Sequence, residues 1–299
     1  VRVDISAAAV NFPDVLVVAN EYQFEVPTPF VPGSEFAGVV TEVADDVDTV
    51  VAGDRVTGTG LVGAFAEEAV VPSGAVNRVP PDVDERVAAA FGVAHRTAYH
   101  VLRSVARVQE GDEVVVLGAG GGVGLATVQL GTLLGASVTA VASSRDKLEV
   151  AASYGARNLI DHRSGALRQA LREALPEGAD VVVDPVGADL SEPALRALRW
   201  GGRFVTVGYA SGVIPKIPLN LVLLKGVQIL GFEFLGFATN ASDEMRRNEA
   251  ELMDHFAAGR VVPHIGAAFP LEGVAAALRQ VADGNAIGKV IIDVASART

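Results

Sequence analysis

The stretch VVVLGAGGGVGLATVQL, Val114 to Leu130, constrains this chain more than any other. An unbroken apolar run, DEVVVLG, has the pattern of a strand buried on both faces. It runs into glycines and then into GVGLATVQLGTLLGA, a helical segment. Ala119, Gly121 and Gly124 stand at A-x-G-x-x-G spacing, after a strand and opening a helix. Gly121 and Gly122 let backbone approach a pyrophosphate, and Gly124 allows tight helix-on-strand packing. The helix start at Gly122 and Val123 offers free N–H groups to an anion. Four further strand–helix units follow, with strands at SVTAVA, RNLID, ADVVVDPVG and GRFVTVGYA, and a sixth strand is expected at VQILGFEF. Such alternation predicts an α/β fold with a doubly wound parallel sheet, which confirms the context the glycine spacing requires.

The second strand discriminates between cofactors. A site preferring NAD carries an acid about 20 residues after the glycines, on the ribose 2′-hydroxyl. Here SVTAVA ends in SSRDK. Ser143 and Ser144 are neutral donors, and Arg145 and Lys147 are cations, a set that suits a 2′-phosphate. Asp146 falls on the next helix start, where an acid suits the helix dipole. Arg145 and Lys147 are also compatible with a solvated surface. NADPH is the expected cofactor. Ligands of such sheets lie outside the carboxyl ends of the strands. Gly187, Gly208 and Tyr209 therefore belong near the nicotinamide half.

Before this region, residues 1 to about 90 have short strand patterns (FAGVVTEVA, GDRVTGTG, FAEEAVVPSGAVNRVP) and no long helical period. From Asp84 a helical spacing of Val87, Phe91, Tyr99 and Leu102 takes over, with a break near Gly92. After the sixth strand come a helix at Ser242–Phe256, a strand at PHIGAAF, a helix at LEGVAAALRQVA and a strand at KVIIDV. The 299 residues suit two domains. The opening VRVDISAAAV lacks a methionine and alternates like a strand, so earlier residues are expected in the natural protein.

Net charge and residue types exclude several functions. A formal charge of −12 gives no basic footprint for nucleic acid or anionic membrane. No apolar run is long enough for a transmembrane span and no signal peptide is visible, so a cytoplasmic location is expected. There is no cysteine, hence no disulfide, thiolate metal site or cysteine nucleophile. His95 and His100 are five apart and do not share a helix face, and no histidine pair has the i,i+4 spacing of a helical zinc site. No G-x-S-x-G elbow supports a hydrolase. A nicotinamide cofactor without a metal remains. An electrophile that delocalises its own charge, such as a quinone or an α,β-unsaturated carbonyl, needs no Lewis acid.

One acid stands out. In FVPGSEFAGVV, Phe30 to Val40, Glu35 lies among apolar residues, where carboxylates are rare unless paired. A backbone N–H or Arg55 is the expected partner.

With AAAVNFPD, PFVPGSEFAGVV, GDRV, RTAYHVL, GAGGGVGLATVQL, ASSRDKL, DPVG and the Gly288–Lys289 pair in place, the chain resembles the medium-chain dehydrogenase/reductase superfamily, and within it the zinc-free NADPH:quinone oxidoreductase branch. The resemblance implies a GroES-like β-rich catalytic domain, residues 1–94 and 236–299, with a Rossmann domain, 95–235, inserted. It implies NADPH and a small-molecule substrate in the cleft between them, and a homodimer paired through the last Rossmann strand. Asn11 then matches an asparagine beside the nicotinamide, orienting cofactor or donating to substrate, although it also suits a turn before Phe12-Pro13. Tyr22 matches a cleft aromatic or packs in a core. Thr97 matches a cofactor-contacting threonine or bonds its own helix. Lys147 matches the lysine at the 2′-phosphate, and Lys289 falls among the cofactor-binding positions. His162 stands where many members have a tyrosine near that phosphate; a cationic imidazole would serve, or His162 is solvated. Phe232 replaces a cleft arginine of some members, which favours a more apolar acceptor. Ser34 stands where zinc-dependent relatives have a liganding histidine, so no metal is expected. Enoyl thioester reduction and a non-catalytic NADPH-binding role are the competing functions.

Overall fold

The computed structural model describes residues 1–294. It divides into two compact units, one of Val1–Ala94 together with Val262 onward, and one of His95–Val261. No helix among the described residues is long and apolar enough to cross a membrane.

The first unit is built on strands β1 (Arg2–Val10), β2 (Glu35–Glu42), β3 (Arg55–Thr59), β4 (Glu68–Val70) and β5 (Val76–Arg78). Two strands from the far end of the chain, β12 (Ile265–Pro270) and β13 (Lys289–Asp293), complete its sheet. The order is β12-β13-β1-β2-β3-β5, with β4 also on β1. Strict alternation would put all odd residues of β1 on one face. A register shift between Ile5 and Ala7 breaks that phase. Val3, Ile5, Ala8 and Val10 therefore share one core with Phe36, Val56 and Ile292. Ala7 and Ala9 turn to the opposite face, against Ala88, Ala89 and Ala90 of the helix Glu85–Phe91. Gly38 faces the irregularity, where a Cβ would collide with the Asp4 carbonyl oxygen.

Sequence periodicity does not reveal the helix Phe12–Ala19 in this unit. Its β-branched run, VLVVA, has the residue types of a strand. Local capping decides instead: Asp14 Oδ2 accepts the Asn11 N–H at 2.7 Å and a proline sits in the first turn. The break expected near Gly92 is present, between the helices Glu85–Phe91 and Ala94–His100. A Cβ at Gly92 would lie 2.8 Å from Thr59 Cγ2.

The second unit carries β6 (Glu113–Leu117), β7 (Ser137–Ala142), β8 (Asn158–Asp161), β9 (Ala179–Asp184), β10 (Leu198–Thr206) and β11 (Gln228–Gly231). All pairs are parallel, in the order β11-β10-β9-β6-β7-β8. Counted from β6, this is the 3-2-1-4-5-6 order of doubly wound dinucleotide-binding sheets. Val115, Leu117, Val141, Val182 and Phe204 are buried in one of its cores.

Two expectations need correction here. The sixth strand stops at Gly231, and Phe234–Asn240 is helical because the Glu233 carboxylate accepts the Leu235 and Gly236 N–H groups at 2.9 and 2.6 Å. The return to the first unit, expected at 236, falls at Val262. The helix Ser242–Ala257 holds to the segment 96–103 through polar bonds. Glu249 meets Arg96 and His100 at 2.8 and 2.9 Å, and Glu251 meets Tyr99 and Arg103 at 2.8 and 3.0 Å.

Candidate functional site

In the second unit the site begins where β6 ends. Gly118 takes φ +62°, which turns the chain out of the sheet. The Ala119 N–H then bonds the Val141 carbonyl at 3.0 Å, and the helix Gly122–Leu133 opens one residue after Gly121. A Cβ at Gly124 would collide with the Gly118 carbonyl, so the helix closes on the turn only with hydrogen there. A Cβ at Gly121 would meet nothing nearer than 3.5 Å. Packing does not require glycine at that position, whereas close approach of a ligand would. Gly120, which the motif spacing leaves unassigned, makes room for Lys147, since a Cβ there would collide with the lysine stem.

At the end of β7, Lys147 Nζ lies 3.3 Å from Ser143 Oγ. Ser144 caps the helix Arg145–Ser153, its Oγ accepting the Lys147 N–H at 3.4 Å. Burial, and then the Arg163 charge, hold the Lys147 ammonium below its usual range. The His162 N–H bonds the Ala142 carbonyl at 3.1 Å, bringing His162 to the same corner. Burial, Arg163 and Lys147 lower the His162 pKa, against the Asp161 charge. Arg145 is not drawn in: it is exposed and pairs with Glu149 at 2.7 Å on its own helix. Arg163, missed by the sequence reading, was detectable as a second basic residue just beyond a strand end.

Along the same edge, Asp184 closes β9 by accepting the Val186 and Gly187 N–H groups at 2.8 Å and the Ser191 hydroxyl at 2.5 Å. Gly187 has φ +78°, and a Cβ there would lie 3.0 Å from the Tyr209 ring. Gly208 and Tyr209 therefore border the same turn. Thr97 is half-buried on the helix Ala94–His100. Phe232 is the position expected to line the cleft. It is buried, 6.1 Å from the His100 ring and 5.5 Å from Phe237, within an aromatic cluster of this unit.

The first unit holds a buried polar cluster. Glu35 is 0% exposed and Lys289 3%. The Lys289 ammonium pairs with Glu35 Oε1 and also donates to Asn11 Oδ1 at 2.5 Å. Asn11 Nδ2 donates to Glu35 Oε1 at 2.9 Å and to Ser34 Oγ at 3.1 Å. The other carboxylate oxygen accepts the Val93 N–H at 2.7 Å, which the helix break beside Gly92 sets free. One expected partner of Glu35, a backbone N–H, is thus present. Arg55 is not the other: it lies opposite Val39, four residues down the strand, and donates to the carbonyls of Pro81 and Val83. Lys289, expected among the cofactor-binding positions, is the counter-ion of Glu35. The Asn11 amide bonds Glu35, Ser34 and Lys289 within this cluster. Asp14 is buried beside this cluster, and desolvation raises its pKa to about 7, opposed by the Asn11 N–H, the Ser34 hydroxyl and the Lys289 charge. Tyr22 is half-buried, edge-on to Phe24 at 5.2 Å.

Residues 1–81 match the family described as "Alcohol dehydrogenase GroES-like domain", and residues 122–254 the family described as "Zinc-binding dehydrogenase". "Quinone oxidoreductase-like protein 2" of Bos taurus is 36% identical over 294 residues, 98% of this chain and 84% of the relative. Human "Quinone oxidoreductase" is 30% identical, covering 98% of this chain and 88% of the relative. The solved quinone oxidoreductase of Thermus thermophilus, also known in complex with NADPH, superposes with a TM-score of 0.86 at 29% identity, covering 98% of this chain and 91% of that one. The chain belongs to the medium-chain dehydrogenase/reductase family, in its quinone oxidoreductase branch.

Zinc figures in one of these family descriptions, and the residues of this family member do not fit it. Asn11 and Ser34 supply neutral oxygens and nitrogen, the chain has no thiol, and a lysine ammonium already neutralises Glu35. Zinc sites are built from thiolate, imidazole and carboxylate ligands. Among the described residues no group of three or more His, Asp or Glu could hold a metal ion.

Proposed function

We propose that this protein is an NADPH-dependent, metal-free reductase that transfers hydride to a quinone or another α,β-unsaturated carbonyl. The observation that carries the reading is the corner where the glycine turn meets Ser143, Lys147 and His162, donors and cations with no acid at the end of β7. Bound NADPH supplies a hydride from C4 of its nicotinamide. Gly121, Gly122 and Val123 present backbone to the pyrophosphate. Ser143 and Lys147 hold the 2′-phosphate, with Ser144 fixing the helix start that carries Lys147. Gly187, Gly208 and Tyr209 border the nicotinamide end of the strand edge, and Thr97 belongs to the same unit. In the first unit, Lys289 and Glu35 hold Asn11 in one orientation. No metal is needed because a conjugated acceptor spreads the incoming charge over its own π system, and the proton comes from solvent.

The test is NADPH oxidation against quinones, simple enones and a crotonyl thioester. Turnover of quinones or enones supports the reading, and turnover of the thioester alone moves the substrate class to enoyl thioesters. Tight NADPH binding without oxidation by any acceptor leaves a non-catalytic binding protein. The proposed homodimer pairs through β11, the terminal strand of its sheet, where Ile229 is exposed, as are Trp200, Leu223 and Leu224 of the same unit. Light scattering on wild type and Ile229→Lys checks it, with monomer expected for the variant.

A further inference from the structure

We propose that His162 and Arg163 set the preference for the 2′-phosphorylated cofactor, His162 by taking up one proton from solvent when the phosphate binds. The proposal rests on the NADPH reading above and adds to it a proton-linked selectivity. Its basis is the convergence of two strand ends. The His162 N–H is tied to the Ala142 carbonyl at 3.1 Å, the residue before Ser143, whose hydroxyl contacts Lys147 Nζ at 3.3 Å. Arg163 follows at once, its N–H held by Asp161 Oδ1 at 2.8 Å. His162 is half-buried and Arg163 exposed, and the charges of Arg163 and Lys147 both act on the His162 imidazole.

The charges acting on the imidazole are Arg163 and Asp161 beside it and Lys147 from the helix Arg145–Ser153. On that helix Arg145 is paired with Glu149, and Asp146 is exposed. Strand β7 has no titratable side chain. Arg168, Arg172 and Glu173 of the helix Leu167–Ala174 are exposed. Burial and two cations therefore hold the free imidazole's pKa below its usual value, which favours the neutral ring. A phosphate dianion reverses the sign of that field. The ring then gains a proton and becomes a charged donor to the phosphate oxygens. Its pKa is higher in the complex than in the free protein. The added affinity is full below the free pKa and is lost as pH rises through the bound one. A 2′-hydroxyl carries no charge, so NADH binding gains nothing from this.

Calorimetric titration of NADPH and of NADH, in buffers of different ionisation enthalpy, measures both affinity and protons taken up. From about pH 6.5 to about pH 8.5 the phosphate is largely dianionic, its second pKa being about 6. We expect uptake of a fraction of a proton with NADPH near pH 7 and none with NADH. The NADPH-to-NADH affinity ratio should fall up to about tenfold across this range, the effect of roughly one pKa unit. His162→Gln should abolish both the uptake and the fall, with its NADH affinity unchanged as evidence of an intact fold. Arg163→Gln should weaken NADPH alone and reduce the uptake. A pH-independent preference for NADPH, or proton uptake that survives in His162→Gln, overturns the proposal only. Equal affinity for NADPH and NADH at every pH overturns the cofactor reading and this proposal together.

Discussion

The glycine turn of the second unit and the Asn11–Glu35–Lys289 cluster of the first are both sites of concentrated polarity, but they are built in opposite ways. Backbone and small residues make the turn. Its contacts are backbone bonds and a lysine stem packed against Gly120, as in the Ala119 N–H to Val141 carbonyl bond and the Lys147–Ser143 contact. The cluster consists of buried side chains whose polar atoms bond one another and the Val93 N–H. One region is shaped to receive charge, whereas the other is already neutral within itself. Changes in the turn should therefore register mainly in ligand binding, and changes in the cluster mainly in stability.

The largest effect that tests this contrast comes from Lys289→Met. Removing the ammonium leaves Glu35 charged and buried, which costs about 3–5 kcal/mol. Denaturant unfolding should show that loss, and the double variant Lys289→Met with Glu35→Gln should recover much of it. Next is Gly124→Ala, whose methyl must displace the Gly118 carbonyl. Overpacking of this kind costs about 1–3 kcal/mol, and NADPH affinity should fall as the turn shifts, measurable by fluorescence titration. Lys147→Gln should leave the melting temperature near wild type and weaken NADPH about tenfold or more, with NADH little changed, as a lost charged hydrogen bond of about 1.5–3 kcal/mol implies. Asp14→Asn should show its effect in the pH profile of stability rather than in NADPH binding. The folded pKa of Asp14, about 7, lies above the unfolded carboxylate value. Its protonated form thus adds stability that is full below the unfolded pKa and lost as pH rises toward 7. The variant should flatten that part of the stability–pH curve. If Lys147→Gln destabilises as strongly as Lys289→Met, the contrast between the two regions fails.

The same contrast explains what the sequence disclosed. Glycines at fixed spacing after an apolar strand, followed by repeated strand–helix units, are local signals, so the parallel sheet and its turn could be read directly. The Lys289–Glu35 pair spans 254 residues, and no periodicity reports such a contact. A hint was present: of the chain's four lysines only Lys289 begins a strand, and the acid in FVPGSEFAGVV demands a buried cation. Arg55 looked closer along the chain but sits at the level of Val39 in the ladder, while Glu35 lies opposite Thr59. Phe12–Ala19 was hidden by β-branched residues, and Phe234–Asn240 by aromatic ones, because in each case a capping carboxylate outweighed propensity.

β13 lies between β12 and β1 in the first unit's sheet, and its first residue is Lys289. During synthesis, then, Ala7–Val10 of β1 wait without their β13 partner, and Glu35 without its cation, until the 254 residues that separate Glu35 from Lys289 have been made. At about 5–20 residues per second that interval is on the order of ten seconds or more. The second unit is drawn from one continuous stretch, His95–Val261, and is complete before β13 is made. The order of translation thus favours assembly from the middle outward, with the last strand as the closing piece and the interval before it as the period of greatest exposure to aggregation.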